Sequence, residues 1–355
     1  MSRFDKIAGK LAEHELDGIL IFSPANRFYA AGFPSSAGAV LVTKEESCFI
    51  TDSRYIEAAR KAITGGIVLE NGREKTTLSL VEEMVQRHGI KRLGFEEGFL
   101  TVSLFEQVKR KLSCELVPAG EVLENLRAVK ESWEIEQMIA AQRIAEKALE
   151  EVLNFIRVGR TEKEIAAFLQ YQMLLGGAEM MSFEPIVVSG ANSSMPHGVP
   201  TEKKIAHGDF ITMDFGCVYN GYCSDMTRTV AVGEVSEEMD GVYHTVRKAQ
   251  LAGIAAAKAG VPGCDIHNAA ADVISAAGYG DYFGHGFGHS LGVEIHESPN
   301  ASPGCKSPMP AGAVISAEPG IYLPGRFGVR IEDVIVLREG GCENITKAPK
   351  ELIVL

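Results

Sequence analysis

Residues 211–229 read ITMDFGCVYNGYCSDMTRT, two apolar runs separated by Asn220-Gly221. Asn-Gly between such runs is the strongest short-range signal for a two-residue hairpin, because both residues tolerate the positive φ that the turn demands. With these two residues at the turn, Tyr219 faces Tyr222, Gly216 faces Asp225, and Asp214 faces Thr227. Asp214 and Asp225 then share one face as diagonal neighbours. Two carboxylates in otherwise apolar strands are costly to bury unless a cation neutralises them. The hairpin therefore reads as half of a metal site, against the alternative that both acids lie on the solvated face of an ordinary hairpin.

Three further clusters favour the metal site. GHGFGHSLGVEIHE, residues 284–297, brings His285, His289 and His296 together in a chain with nine histidines. Its interleaved glycines predict irregular backbone held close to something small. One imidazole could ligate an ion while its neighbours hydrogen-bond a substrate. ISAEPG (315–320) and GVRIEDV (328–334) carry Glu318 and Glu332 in runs that otherwise read as interior strands, where a glutamate needs a partner. The competing explanations are a strand-end acid before Pro319-Gly320 and an ion-pair mate for Arg330. NSSMPHGVP (192–200) is a polar loop that carries His197. Four carboxylates and one imidazole suit a pair of Mn²⁺, Co²⁺, Fe²⁺ or Zn²⁺ ions.

In the order His197, Asp214, Asp225, His289, Glu318, Glu332, with GHGFGHSLGVEIHE and VRIED, the chain resembles the pita-bread metallopeptidases, peptidase family M24. That family includes methionine aminopeptidases, prolidases and Xaa-Pro aminopeptidases, and the likeness runs from roughly Arg127 to the C-terminus. It implies an α+β pita-bread catalytic domain holding two divalent metal ions, manganese preferred. Asp225 and Glu332 would bridge the ions, Asp214 would hold one, and His289 with Glu318 the other. It further implies Glu318 as the proton shuttle and His197, His285 and His296 as hydrogen-bond donors to substrate. Arg330 would orient Glu332 or meet a substrate carboxylate, and Thr227 is a candidate to orient a carboxylate.

At 355 residues the chain is long enough for two domains. In the first 120 or so residues, runs such as GILIF, AVLVT, CFIT and GIVLE alternate with helical patterns at Leu78–Gln86 and Val102–Lys111, which predicts an α/β domain with a mixed sheet. This part, with SPANRFYAAGF and ITDSRYIEAAR, resembles the N-terminal domain of creatinases and prolidases. Tyr29 and Arg54 are candidates there to reach a neighbouring subunit, or simply to pack locally. VPAG (117–120) predicts a break, which sets the expected domains at 1–122 and 123–355. A long helix over Ser132–Arg157 and a second one, started by the capping box Thr161-Glu-Lys-Glu164, follow. The ligands are expected on strands.

A net charge of −12 argues against nucleic acid as a partner. Seven scattered cysteines without a C-x-x-C pair read as reduced thiols of a cytoplasmic protein. The N-terminal stretch is amphipathic, with no apolar run for a signal or a membrane span. The two-domain likeness points to short peptides with an Xaa-Pro N-terminus as substrates, cut by an Xaa-Pro aminopeptidase, with a homodimer as the expected assembly. Some prolidases carry an arginine just after their His-Glu pair. Here Ser298-Pro299-Asn300 follows, which leaves Xaa-Pro dipeptidase as the alternative. A creatinase-like hydrolase and a non-catalytic binding module are further alternatives, each of which would have little reason to keep all five ligand positions.

Overall fold

Ser2 and Asp5 exchange side-chain-to-backbone hydrogen bonds, a reciprocal cap that starts the helix Arg3–Leu11, and Phe4, Ile7 and Leu11 bury one stripe of it. The computed structural model describes residues 2–355. They divide into two units, one ending at Arg127 and one running from Ala128 to Leu355.

The first unit is built on a six-stranded sheet of β1 (Gly18–Ile21), β2 (Ala39–Thr43), β3 (Cys48–Thr51), β4 (Ile67–Glu70), β5 (Arg92–Phe95) and β6 (Glu115–Pro118), in the order β4-β3-β2-β1-β5-β6. Pairing is antiparallel for β1–β2 and β2–β3 and parallel for β3–β4, β1–β5 and β5–β6, so the sheet is mixed as expected. The three central strands β1 to β3 are buried along their whole length, which is why they read as continuous apolar runs rather than alternating ones. The stretch expected to be a break is structured. Pro118 ends the edge strand β6, where a missing N–H costs no ladder bond, and a helix follows at Gly120–Ala128. The boundary expected after residue 122 falls inside that helix. Tyr29 is buried, whereas Arg54 is exposed and forks onto Asp52.

In the second unit the helix Ser132–Phe155 buries Ile135, Met138, Ala141, Ala145, Leu149 and Val152 on one stripe, and Thr161 and Glu164 form the expected reciprocal cap of the helix Glu162–Leu175. The strands that carry the site are β7 (Met180–Met181), β8 (Ile186–Ser189), β9 (Phe210–Phe215), β10 (Cys217–Tyr219), β11 (Tyr222–Cys223), β12 (Met226–Ala231), β13 (Gly288–Ser290), β14 (Glu297–Ala301), β15 (Val314–Ala317), β16 (Gly320–Leu323), β17 (Phe327–Arg330), β18 (Asp333–Arg338) and β19 (Gly341–Asn344). They form sheets ordered β12-β9-β8, β14-β13-β15-β18-β19 and β11-β10-β7, with β16 and β17 as a separate hairpin.

The opening stretch folds as a hairpin turning at Asn220 (φ 46°) and Gly221 (φ 75°). Its register pairs Tyr219 with Tyr222, Val218 with Cys223, Phe215 with Met226, and Asp214 with Thr227. At Gly216 the strands approach so closely that a Cβ would lie 1.9 Å from the Ser224 carbonyl oxygen. Glycine is required there by space. All seven cysteines are free. Among the described residues no helix is long and apolar enough to cross a membrane.

Candidate metal centre

β9 carries Asp214 and β13 carries His289, but the other three expected ligands stand at strand ends. Asp225 immediately precedes β12, Glu318 follows β15, and Glu332 lies between β17 and β18. The expectation of ligands on strands is corrected to that extent. A strand end frees a side chain from strict alternation, so acids from separate sheets can converge.

They do converge. Asp225, His289 and Glu332 each offer a ligand atom, and these atoms lie within 4.8 Å of one another. His289 Nε2 is 3.6 Å from Asp225 Oδ2 and 3.3 Å from Glu318 Oε1. Asp214 joins through Arg330, whose guanidinium donates to Asp214 Oδ2 at 2.6 Å. The same arginine donates from Nε to Thr227 Oγ1 at 3.1 Å, and Thr227 in turn donates to Glu332 Oε2 at 2.7 Å. One guanidinium thus orients two acids, Asp214 directly and Glu332 through a hydroxyl. The sequence proximity of Arg330 and Glu332 suggested a direct contact; β17 instead turns the arginine toward β9.

The donor set fits a cation. Asp214 Oδ1 and Asp225 Oδ1 are buried without a hydrogen-bond partner. Burial raises the carboxyl of Asp225 well above its ordinary range, and repulsion from Asp214 and Glu318 adds to it. Glu332 is raised in the same way, by burial first and by Asp225 next. His289 Nδ1 faces the Ser290 carbonyl at 3.2 Å and must donate to it. Burial also lowers the pKa of this imidazole. With Nδ1 donating, Nε2 is left as an acceptor that faces oxygens of Asp225 and Glu318, an arrangement in which one cation can be shared among them.

These groups open on a cavity of about 550 Å³ that His197, His285 and His296 also line. The three histidines differ. His197 and His296 are exposed, and the His296 ring meets His289 edge-on at 4.4 Å between centroids. His285 has both nitrogens engaged: Nδ1 donates to the Gly286 carbonyl at 2.8 Å, and Nε2 accepts from the Tyr322 hydroxyl at 3.0 Å. Tyr322 accepts from Arg330 at 2.9 Å. The imidazole of His285 therefore fixes Tyr322 and has no nitrogen left for a substrate.

Sequence reasoning did not find Tyr322 or Ser316, whose hydroxyl accepts from the His289 amide and donates to Glu318 Oε1 at 2.9 Å. Both are unremarkable strand residues, and no local signal distinguishes them. Two of the glycines around the histidines are also set by space. A Cβ at Gly288 would lie 1.9 Å from the Ser316 carbonyl oxygen, and one at Gly286 would crowd Ala301 and Ser302. Both also line the cavity.

The model of metallopeptidase family M24 matches residues 136–339, more than half of the chain. The chain belongs to metallopeptidase family M24. The Creatinase/Prolidase N-terminal domain matches residues 3–129. A structure described as an Xaa-Pro dipeptidase from Bacillus anthracis is 42% identical, covers 99% of each chain and superposes with a TM-score of 0.95. An X-Pro aminopeptidase structure from Thermotoga maritima is 37% identical, covers 100% of each chain and gives 0.92. An Xaa-Pro dipeptidase of Pyrococcus furiosus is 35% identical over 99% of each chain. The family implies divalent metal ions, and the convergent acids are where this chain would hold them. The fold is a creatinase-type α/β N-terminal domain followed by the pita-bread catalytic domain.

Proposed function

We propose that the chain is an Xaa-Pro aminopeptidase that removes the N-terminal residue from short peptides with proline in second position. One observation carries this reading. The cavity holds an acid cluster short of cationic partners, and Arg330, the one lysine or arginine among its described lining residues, is committed to Asp214, Thr227 and Tyr322. A dipeptide's free carboxylate would find no uncommitted lysine or arginine there, whereas a longer peptide carries its carboxylate at least one residue farther from the scissile bond. The Bacillus anthracis and Pyrococcus furiosus relatives favour the second reading, Xaa-Pro dipeptidase.

Asp214, Asp225, His289, Glu318 and Glu332 would hold the metal, with Asp225 and Glu332 at the centre of the set. Two divalent cations there, manganese first and cobalt, iron or zinc as alternatives, would polarise the scissile carbonyl and lower the pKa of the attacking water. Glu318, beside His289 and within the same acid set, is the carboxylate that would take a proton from the attacking water and deliver it to the departing proline nitrogen. His197 and His296 are free to donate hydrogen bonds to the substrate carbonyl, His285 holds Tyr322, and Arg330 holds Asp214. A cytoplasmic homodimer is the setting we propose.

The test is hydrolysis of matched Xaa-Pro dipeptides and Xaa-Pro-Xaa tripeptides by metal-stripped protein with and without Mn²⁺. Metal-dependent cleavage of the tripeptide is the expected result. Cleavage of the dipeptide alone would replace the aminopeptidase by a dipeptidase, and silence on both would overturn the peptidase reading.

A further inference from the structure

Glu162 is fully buried in the first turn of the helix Glu162–Leu175, yet the cap of that helix is made by Thr161 and Glu164. Its carboxylate accepts from five donors, all on the segment from residue 189 to residue 201. Ser189 N (2.7 Å), Ser189 Oγ (2.8 Å) and Asn192 Nδ2 (3.1 Å) meet Oε1. Thr201 N (3.0 Å) and Thr201 Oγ1 (2.7 Å) meet Oε2. The helix adds its own free amides, Glu162 N donating to the Lys203 carbonyl and Lys163 N to that of Thr201. One carboxylate therefore ties together both ends of the loop whose middle holds His197.

Between those ends the loop reaches the site. Ser193 Oγ accepts from Gly328 N at 2.8 Å, and the Pro196 carbonyl accepts from Arg330 at 3.2 Å, the guanidinium that also holds Asp214. His197, the next residue, lines the cavity. We propose that Glu162 is a positioning residue of the peptidase site, fixing the loop so that the His197 imidazole meets the substrate. The inference rests on the reading of His197 as a substrate contact.

Five donors converge on the two oxygens of one carboxylate. Glu162→Gln keeps the volume and turns an amide N–H toward N–H and O–H donors, so it breaks the clamp. Thr201→Val removes one of the five donors and serves if the first variant folds poorly. Both are compared with His197→Ala and with Glu162→Gln/His197→Ala in the Mn²⁺-loaded enzyme on an Xaa-Pro-Xaa tripeptide. Thermal midpoints are recorded alongside. The histidine Cε1–H NMR signals are followed with diamagnetic Zn²⁺ in place.

Misplacement of a contact by about 1 Å lowers kcat/KM by up to roughly 100-fold, the loss expected for Glu162→Gln, with a smaller loss for Thr201→Val. The double variant should lose no more than the worse single one, because both act through one imidazole. The His197 signal should shift or split in Glu162→Gln while that of the exposed His244 stays. Multiplying losses would overturn the proposal. So would a lowered midpoint with unchanged kcat/KM and an unmoved His197 signal. If His197→Ala is as active as the parent, the reading of His197 fails first and this inference falls with it.

Discussion

Glu332 and Asp333 are adjacent in sequence and equally hidden, at 1% and 0% exposure, yet the protein treats their charges in opposite ways. Glu332 points into the acid cluster, accepts one hydrogen bond from Thr227, and burial pushes its carboxyl well above the ordinary range. Asp333 points the other way, to Arg228 at 2.8 Å, Lys350 at 2.7 Å and Asn344 at 2.6 Å. Burial pushes its carboxyl up too, but Arg228 and Lys350 outweigh that and hold it below the ordinary range. Arg228 also donates to the carbonyls of Ala348 and Pro349, so this ion pair fastens the C-terminal segment. A buried acid with its cations built in serves the fold. One whose cation must come from outside serves a site.

The sharpest way to break this comparison is to remove each charge in turn. Asp225→Asn takes an acid from the unpaired set and is expected to lower kcat/KM on an Xaa-Pro-Xaa tripeptide by roughly 1,000-fold or more, the loss of several kcal/mol of metal-assisted stabilisation. Asp333→Asn should leave kcat/KM within a few-fold while costing about 3–5 kcal/mol in urea unfolding, the usual penalty for breaking a buried pair. If Asp333→Asn abolished activity at unchanged stability, the division between the two acids would be wrong.

The sequence shows one side of this contrast better than the other. Asp214, Asp225, Glu318 and Glu332 stand out because each interrupts an apolar run, and the Asn220-Gly221 turn by itself fixes the pairing of Asp214 with Thr227. The partner of Arg330 is not legible. Its ion pair with Asp214 spans more than a hundred residues and depends on how β17 faces β9. Glu162 hides beside a capping box that already explains the acids around it. Pro118 reads as punctuation because only the assembled sheet reveals β6 as an edge, where proline is tolerated.

A smaller effect separates the two regions by their response to metal. Added to chelator-treated protein at 100 times its dissociation constant, a divalent ion that binds only the folded state adds about 2.7 kcal/mol of stability. That gain should appear in the parent and vanish in Glu332→Gln, which removes a charge from the cluster. It should persist in Lys350→Met, which weakens only the Asp333 network. Thermal unfolding across a Mn²⁺ titration measures it, and an equal gain in all three proteins would place the ion elsewhere.

The subtlest difference is in the sign of the pH dependence. In metal-stripped protein the carboxyls of Asp225 and Glu332 titrate above their unfolded values. Such groups contribute stability that is fully present below about pH 4, where the unfolded chain is also protonated, and lose it as pH rises through their folded pKa values. Asp333, held below the ordinary range, contributes stability that is present above that range and lost as pH falls through its folded pKa. Asp225→Asn removes one raised group, so the stripped variant should match the parent near pH 4 and exceed it at pH 8 by on the order of 1–3 kcal/mol. Asp333→Asn should behave inversely, its deficit against the parent shrinking on acidification. Urea unfolding at the two pH values, with chelator present, reads both slopes. Returning metal should erase the first difference and leave the second, because an ion replaces the missing counter-charge of Asp225 whereas Asp333 already has its own. Parallel slopes for the parent and Asp225→Asn in chelator would mean that the acid cluster carries no uncompensated charge.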